Sequence, residues 1–380
     1  MTSPSPTTTA TAAAAGSKKI EVMVVNDSTY MRSLFGDLVS SSGRLHVCDT
    51  ANDGADALRK IGKSRPDVVL LDLEMPNMDG LSFIEKVMPV NPVPIVLVSS
   101  YGQKGASVVF DALEMGAVDF VPIPQDDPEK MRTLKETLAS KIEIAAQAKQ
   151  HLRPTRARQG ATHASSLGHA SSTAARRSHA RGGAGGEGGE EWPAVVVIGA
   201  STGGPGVVGE IMSRLPADLP AGVLIVQHMP EGFTKSFAER LNGRSKIPVK
   251  EARDGDQIAV GSALVSPGDF HMLVRPSRTV ELNKSPRRFG VRPAINMSMV
   301  SASQVYGSRT VGVLLTGMGH DGAFGMKMIK RNGGRTIGQD EASSVVFGMA
   351  KAAAEMDAVD RLLPVDRIPG EIERMVASLR

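Results

Sequence analysis

Cysteine is almost absent: a single one, Cys48, occurs among 380 residues. One thiol excludes a disulfide framework or a cysteine-based zinc site within the chain, and it suits a reducing compartment. Cys48 lies in H-V-C-D-T-A (46–51), which reads as a strand, so a buried, inert thiol is expected. Aromatic residues are also scarce, at 4%, which argues against the stacking platforms that hold single-stranded nucleic acid. No apolar run approaches the ~18–20 residues of a membrane span. The start, M-T-S-P-S-P-T-T-T-A, lacks the charged beginning and apolar core of a secretory signal. These absences predict a cytoplasmic protein that is not membrane-inserted and has no nucleic-acid partner. The net charge of +4 does not alter that expectation, because much of the basic excess sits in one segment.

The length predicts two domains rather than one. Residues 1–18 are Ser/Thr/Ala/Pro-rich and read as a disordered tail. A β/α alternation fills 19–149, and a second begins at Trp192 and runs to 380. Between them, 150–191 carries His151, His163, His169 and His179 with six arginines, and closes with G-G-A-G-G-E-G-G-E-E. So few apolar residues cannot offset ordering entropy, and a flexible Arg/His/Gly-rich linker is expected. A metal site from four scattered histidines is the minority reading. A flexible stretch of that length spans roughly 30–40 Å, enough to let the domains part.

In the first domain, E-V-M-V-V-N-D (21–27), D-V-V-L-L-D (67–72) and P-I-V-L-V-S-S (94–100) are apolar runs with acids or hydroxyls at their ends. Such runs suit parallel strands buried on both faces. Met31, Leu34, Phe35, Leu38 and Val39 form a helical stripe, with Ser28 as its N-cap. In open parallel sheets, ligand chemistry collects at the carboxyl ends of the strands. Asp27, Asp72 and Ser99 are therefore expected at one edge, as oxygen ligands for a hard cation such as Mg²⁺.

V-V-N-D-S-x-x-M-R, V-L-L-D-L-E-M-P-N-M-D-G and G-A-V-D-F-V resemble the response-regulator receiver domain, over about 19–125. The resemblance implies a flavodoxin-like fold, Asp72 as phosphoacceptor, Asp27 with Asp72 as metal-binding acids, and Ser99 as the switch hydroxyl. A histidine kinase would be the phosphodonor. Two positions depart from that pattern. Asn26 stands where a second acid is usual, removing a negative charge from the metal site and lowering the expected Mg²⁺ affinity. Ile123, in F-V-P-I-P, stands where the family carries a phosphate-pairing lysine. Three readings stay open: weak phosphorylation of Asp72, a pseudo-receiver acting through contacts alone, or an acid retained only for structure.

The second domain opens with A-V-V-V-I-G (194–199), then A-S-T-G-G-P (200–205) and an apolar stripe of Val207, Val208, Ile211, Met212 and Leu215. Ser201 thus lies in a strand-to-helix turn. Such a turn can cradle a phosphate or set a hydroxyl beside an oxyanion hole. It has neither the Lys-Ser/Thr pair of a P-loop nor dinucleotide-site spacing, and it is not the G-x-S-x-G elbow. A nucleophile needs a base and an orienting acid. A-G-V-L-I-V-Q-H-M-P (221–230) places His228 at a strand end, and T-V-G-V-L-L-T-G-M-G-H-D-G (310–322) places Asp321 in a glycine-flanked turn. His320 and His271 compete for the base. His320 directly neighbours Asp321, and His271 lies in a β-rich stretch and reads as scaffold.

G-A-S-T-G-G, V-Q-H-M-P, L-L-T-G-M-G-x-D-G and Q-D-E-A-S-S-V-V-F-G-M resemble, in that order, the chemotaxis protein-glutamate methylesterases, over nearly all of 194–370. A receiver ahead of such a domain is that family's architecture. The resemblance implies a doubly wound, mainly parallel α/β catalytic domain with Ser201 as nucleophile, His228 as base and Asp321 as orienting acid. Met318 would supply an oxyanion-hole N–H, and Thr202 would line the site. The implied reaction is demethylation of glutamyl γ-methyl esters on chemoreceptors, with glutamine deamidation, and no cofactor for either. R-P-A-I-N (292–296) departs from the family's usual R-P-S-V-D at a place outside the triad. Two rivals are a catalytically silent, receptor-binding regulator and a transcriptional regulator, the latter without a helix-turn-helix pattern to support it.

Overall fold

A computed structural model describes residues 18–100, 103–123, 128–149 and 193–379. The expected tail, apart from its last residue, and the expected linker over 150–191 lie outside the described residues.

The first unit alternates strands and helices: β1 (Ile20–Val25), α1 (Thr29–Ser40), β2 (Leu45–Ala51), α2 (Gly54–Ser64) and β3 (Val68–Asp72). It continues with α3 (Gly80–Val87), β4 (Ile95–Ser100), α4 (Gln103–Glu114), β5 (Asp119–Ile123) and α5 (Pro128–Ala148). All five strands are parallel, in the order β2-β1-β3-β4-β5, which is the flavodoxin-like arrangement. Residues 22–25 and 68–71 are buried without alternation, because helices cover both faces of the sheet. Cys48 corrects the sequence reading. It sits on edge strand β2 and is only half-buried, although burial, followed by Glu21, pushes its thiol up to about 11. The expected full burial is therefore overturned, while the raised pKa disfavours the thiolate.

The second unit begins with β6 (Ala194–Ala200), α6 (Gly204–Arg214), β7 (Ala221–Gln227), α7 (Phe233–Asn242), β8 (Val249–Glu251) and β9 (Ser262–Val265). A hairpin of β10 (His271–Val274) and β11 (Val280–Asn283) follows, then α8 (Ile295–Tyr306) and β12 (Thr310–Leu314). The remainder is α9 (Ala323–Arg331), β13 (Arg335–Gln339), α10 (Met349–Glu355), β14 (Arg361–Leu363) and α11 (Ile368–Ser378). Seven parallel strands form one sheet, ordered β14-β13-β12-β6-β7-β9-β8. Alternate residues of β6 feed two cores: Val196 and Ile198 pack in one, Val195 and Val197 in the other. Helices therefore cover both faces. The chain leaves β6 on one side towards β7 and returns on the other as β12. Their carboxyl ends flank the switch point, where doubly wound sheets place their chemistry.

The two units are docked, and residues of both share one buried apolar cluster. Phe110 stacks on Phe237 at 5.6 Å between centroids, and Phe120 lies 4.6 Å from Phe233. Arg240 donates to Asp111 (2.7 Å) and Glu114 (2.5 Å), and Arg244 donates to Glu114 (2.6 Å). Closer to the sheet ends, Gly203 N–H reaches Val118 O (3.2 Å) and Thr202 Oγ1 donates to Asp119 Oδ2 (2.6 Å). Burial works to raise the Glu114 carboxyl, but the two arginines outweigh it and hold the carboxyl below its ordinary value. A carboxylate depressed by docking contributes above its ordinary pKa, and that contribution disappears as pH falls through the depressed value. Arg240→Glu sets a like charge against Asp111 and Glu114. The two units of that variant should separate at neutral pH, seen as a larger radius of gyration in small-angle scattering at 0.15 M salt. An unchanged radius would show that the apolar contacts alone hold the interface.

Candidate active site

β6 ends at Ala200, and the turn after it is built for close packing. Ser201 N–H donates to Thr316 O at 3.0 Å, tying the turn to the loop after β12. Gly203 has φ +76°, the left-handed region that favours glycine, and a Cβ there would lie 2.6 Å from Val345. α6 then starts at Gly204, with Pro205 in its first turn, where a missing N–H costs nothing. On the neighbouring strand, His228 N–H donates to Ala200 O at 3.0 Å. Gln227 is 2% exposed, and its Nε2 donates to Ser201 O (2.8 Å) and His228 O (3.3 Å), one amide fixing both backbones.

Asp321 reaches the same place from the glycine-rich loop after β12. Gly317 has φ +157°, and a Cβ on it would fall 2.6 Å from the Ser201 Cβ, so the loop presses directly onto the serine turn. The Asp321 side chain is nearly sealed. Its Oδ2 accepts from His228 Nε2 (2.8 Å) and Ile295 N–H (2.7 Å), and Oδ1 accepts from Asn296 and Gly322 N–H (both 3.0 Å). Ile295 and Asn296 open α8, so the carboxylate also meets the positive end of that helix. Burial pushes its pKa up, but the His228 bond and these amides overcome that and hold it below the ordinary carboxylate value.

Because Nε2 faces Asp321, Nδ1 is the nitrogen left to take a proton from a hydroxyl. Ser201, His228 and Asp321 line one cleft. Among the described residues no hydrogen bond joins the Ser201 hydroxyl to His228, a contact that often tightens only with substrate bound. The N–H groups of Thr202 and Met318, beside Ser201 and on the facing loop, donate to no group among the described residues. They suit an oxyanion. His271 is fully buried and accepts from Ala294 N–H at 3.2 Å through Nδ1; burial first of all lowers its pKa. It is scaffold, as expected, and His228 alone of the three contenders bonds Asp321.

Several working residues were not singled out by sequence reasoning. Gln227 stood inside V-Q-H-M-P, and Thr316 inside L-L-T-G-M-G. Thr316 Oγ1 donates to Thr202 O at 3.0 Å. In the sequence, Asn296 reads only as a departure from the family pattern. Its Oδ1 accepts from Gly322 (3.0 Å) and Gly325 (2.7 Å) N–H, so it caps α9 and braces the turn bearing Asp321. Asp119 lay in G-A-V-D-F-V; besides Thr202 it holds Lys141 Nζ at 2.6 Å. The cleft, about 780 Å³, runs between the units. Ser201, His228 and Asp321 form one wall, and β5 with α5 forms the other.

At the edge of the first unit, Asn26 is buried. Its Nδ2 donates to Asp72 Oδ2 at 2.6 Å, while its Oδ1 accepts Ser28 N–H at 2.9 Å. Turning the amide over would set oxygen against carboxylate and NH₂ against N–H, so both partners fix its orientation. Asp27 is exposed, Ser99 is buried at the end of β4, and Ile123 packs into an apolar cluster. A hard cation needs converging oxygens, and here the amide presents nitrogen. Among the described residues no group of three acids, histidines or cysteines is set to hold a metal. The residues present are a poor fit to Mg²⁺. Burial, chiefly, pushes Asp72 up to about 6, with Asp27 and Glu74 adding to the shift.

Residues 196–372 match the family described as CheB methylesterase, and residues 22–139 match the response regulator receiver domain. A protein-glutamate methylesterase/protein-glutamine glutaminase of Pyrococcus abyssi is 43% identical over 96% of this chain and 95% of its own. One of the same description from Symbiobacterium thermophilum is 41% identical, over 95% and 98%. Among solved structures, the Thermotoga maritima CheB methylesterase catalytic domain is 42% identical, covering 48% of this chain and 98% of its own, with TM-score 0.47.

Asp72 gives a stability test. A carboxyl raised in the folded state favours folding while protonated, and that contribution is lost as pH rises through about 6. Asp72→Asn should therefore melt higher than the parent at pH 7.5, with the gap closing at pH 4, by scanning calorimetry. A gap independent of pH would mean that burial is not what shifts Asp72.

Proposed function

The chain belongs to the protein-glutamate methylesterase/protein-glutamine glutaminase family, and on that footing we propose that it hydrolyses glutamyl γ-methyl esters, and deamidates glutamines, on chemoreceptors. Ser201 is the nucleophile, His228 the general base and Asp321 the acid that orients the imidazole. The observation that carries this is the His228–Asp321 pair, held beside the serine turn at the sheet's switch point. His228 Nδ1 takes the Ser201 proton as Oγ attacks the ester carbonyl. The Thr202 and Met318 N–H groups hold the tetrahedral oxyanion, usually the largest single contribution to such catalysis. The proton passes to methoxide, methanol leaves, and water hydrolyses the acyl-enzyme with His228 again as base. An amide substrate follows the same steps and releases ammonia. A catalytically silent regulator would have no use for a buried carboxylate held by three backbone N–H groups behind an imidazole.

Regulation follows from the cleft. A receptor segment reaches Ser201 only past β5 and α5, so the docked receiver restricts access. Asn26 and Ile123 leave Asp72 with less to hold a metal or a phosphoryl group, and control therefore rests more on the docking contacts. A histidine kinase or a small acyl phosphate is the class of donor that Asp72 would meet. Among the described residues no helix is long and apolar enough to cross a membrane, in keeping with an enzyme acting from the cytoplasm on receptor tails. No cofactor enters the esterase steps, so chelator should leave the rate unchanged.

Methanol release from methylated receptor membranes by the full-length protein tests both readings. Ser201→Ala should lower it at least ~10⁴-fold; turnover equal to the parent would sink the assignment. Steady release that ignores Mg²⁺ and phosphodonor would mark a receiver working through contacts. A large rise with phosphodonor would show that Asp72 retains control.

A further inference from the structure

The segment joining β11 to α8, K-S-P-R-R-F-G-V-R (284–292), carries four cations and no acid. It forms part of the rim of the cleft that holds Ser201. Arg288 and Val291 exchange backbone hydrogen bonds of 3.1 and 3.0 Å, closing a two-residue turn on Phe289 and Gly290. Both central residues have positive φ, +52° and +77°. Turns of that geometry favour Asn-Gly, and a bulky aromatic in the first position is strained. Nothing in the core requires it, since Phe289 is 58% exposed. Its ring meets the edge of His320, 4.5 Å away, beside Asp321. A strained residue kept against local preference points to a use outside the fold.

The charge points the same way. Lys284, Arg287 and Arg292 converge on one carboxylate, Asp269, at 3.3, 3.0 and 2.6 Å. Three cations on one acid leave an excess of positive charge. Arg288 adds another, exposed and without an ion-pair partner among the described residues.

We propose that this turn is the receptor-recognition element of the enzyme: Phe289 seats on an apolar strip of the substrate, and Arg288 with its neighbours meets carboxylates flanking the target side chain. This rests on the esterase reading above. Each turnover converts a neutral ester or amide into a glutamate, so a receptor segment with neighbouring targets grows more acidic as it is processed. A basic rim with an aromatic anchor complements that product-bearing surface.

The test compares methylated receptor membranes with N-acetylglutamate γ-methyl ester, a substrate too small to span the rim, using the full-length protein. Phe289→Asn supplies a residue the turn prefers, and Arg288→Glu alters an exposed side chain, so melting temperatures serve as folding controls. Each variant should lower the ratio of kcat/KM on receptor to that on the small ester about tenfold, mainly through KM. Arg288→Glu should also flatten the dependence of receptor KM on salt. An unchanged ratio overturns the proposal, and so does an equal loss on both substrates. Hydrolysis of either substrate by Ser201→Ala at the parent rate would instead refute the triad, whatever the rim variants do.

Discussion

The buried carboxylate of Asp321 is the constraint around which the catalytic unit is arranged. At 3% exposure an unpaired charge would be very costly, and Asp321 is sealed only because four N–H groups converge on it. One comes from β7's end through His228, two from the start of α8, and one from its own loop. Three stretches far apart in sequence must meet for one side chain to be tolerated. The excursion through β10 and β11 brings α8 back to β6 and β12 with its positive end aimed at that carboxylate. The glycines after β12 let the loop lie flat on the serine turn. The imidazole then has one nitrogen committed to Asp321 and one available, which gives a general base its direction.

Catalysis and control meet in three consecutive residues. Ser201 is the proposed nucleophile, Thr202 gives its side chain to Asp119 of the receiver, and Gly203 gives its N–H to Val118. The receiver is thus bonded into the turn that carries Ser201, as well as standing in front of it. Separation of the units would leave Asp119 with Lys141 and the Phe120 N–H of its own unit, and free the Thr202 hydroxyl beside Ser201. Lid and machinery share bonds, so opening the cleft alters the surroundings of Ser201 as well as access to it.

Strand ends were legible in the sequence because apolar runs stop abruptly at polar residues, and parallel sheets put such stops at one edge. That logic placed Ser201, His228 and Asp321 without side-chain geometry, and the motif order supplied the family. Gln227, Asn296 and Asp119 were not legible as working residues, because each acts through a partner 26 or more residues away. Asn296 shows the difficulty: as a sequence position it is a departure from a pattern, and only its bonds to Gly322 and Gly325 show that the amide braces the triad's loop. Cys48 failed in the opposite sense. An apolar strand suggests full burial, but β2 is an edge strand with one flank open.

The receiver's two departures bear on how large a signal it can transmit. A phosphoryl group shifts docking only by the difference in its interactions between the docked and separated forms. Ile123 removes a cation that would have paired with it, and the Asn26 amide already holds the Asp72 oxygen that a metal would share. Both changes shrink that difference. Against it stand two aromatic contacts, the arginine–acid cluster and the Asp119–Thr202 bond. An input worth less, set against an interface of that extent, moves the population little unless the interface is also loosened from outside. Such loosening has to act on β5 and α5, the wall of the cleft that faces Ser201.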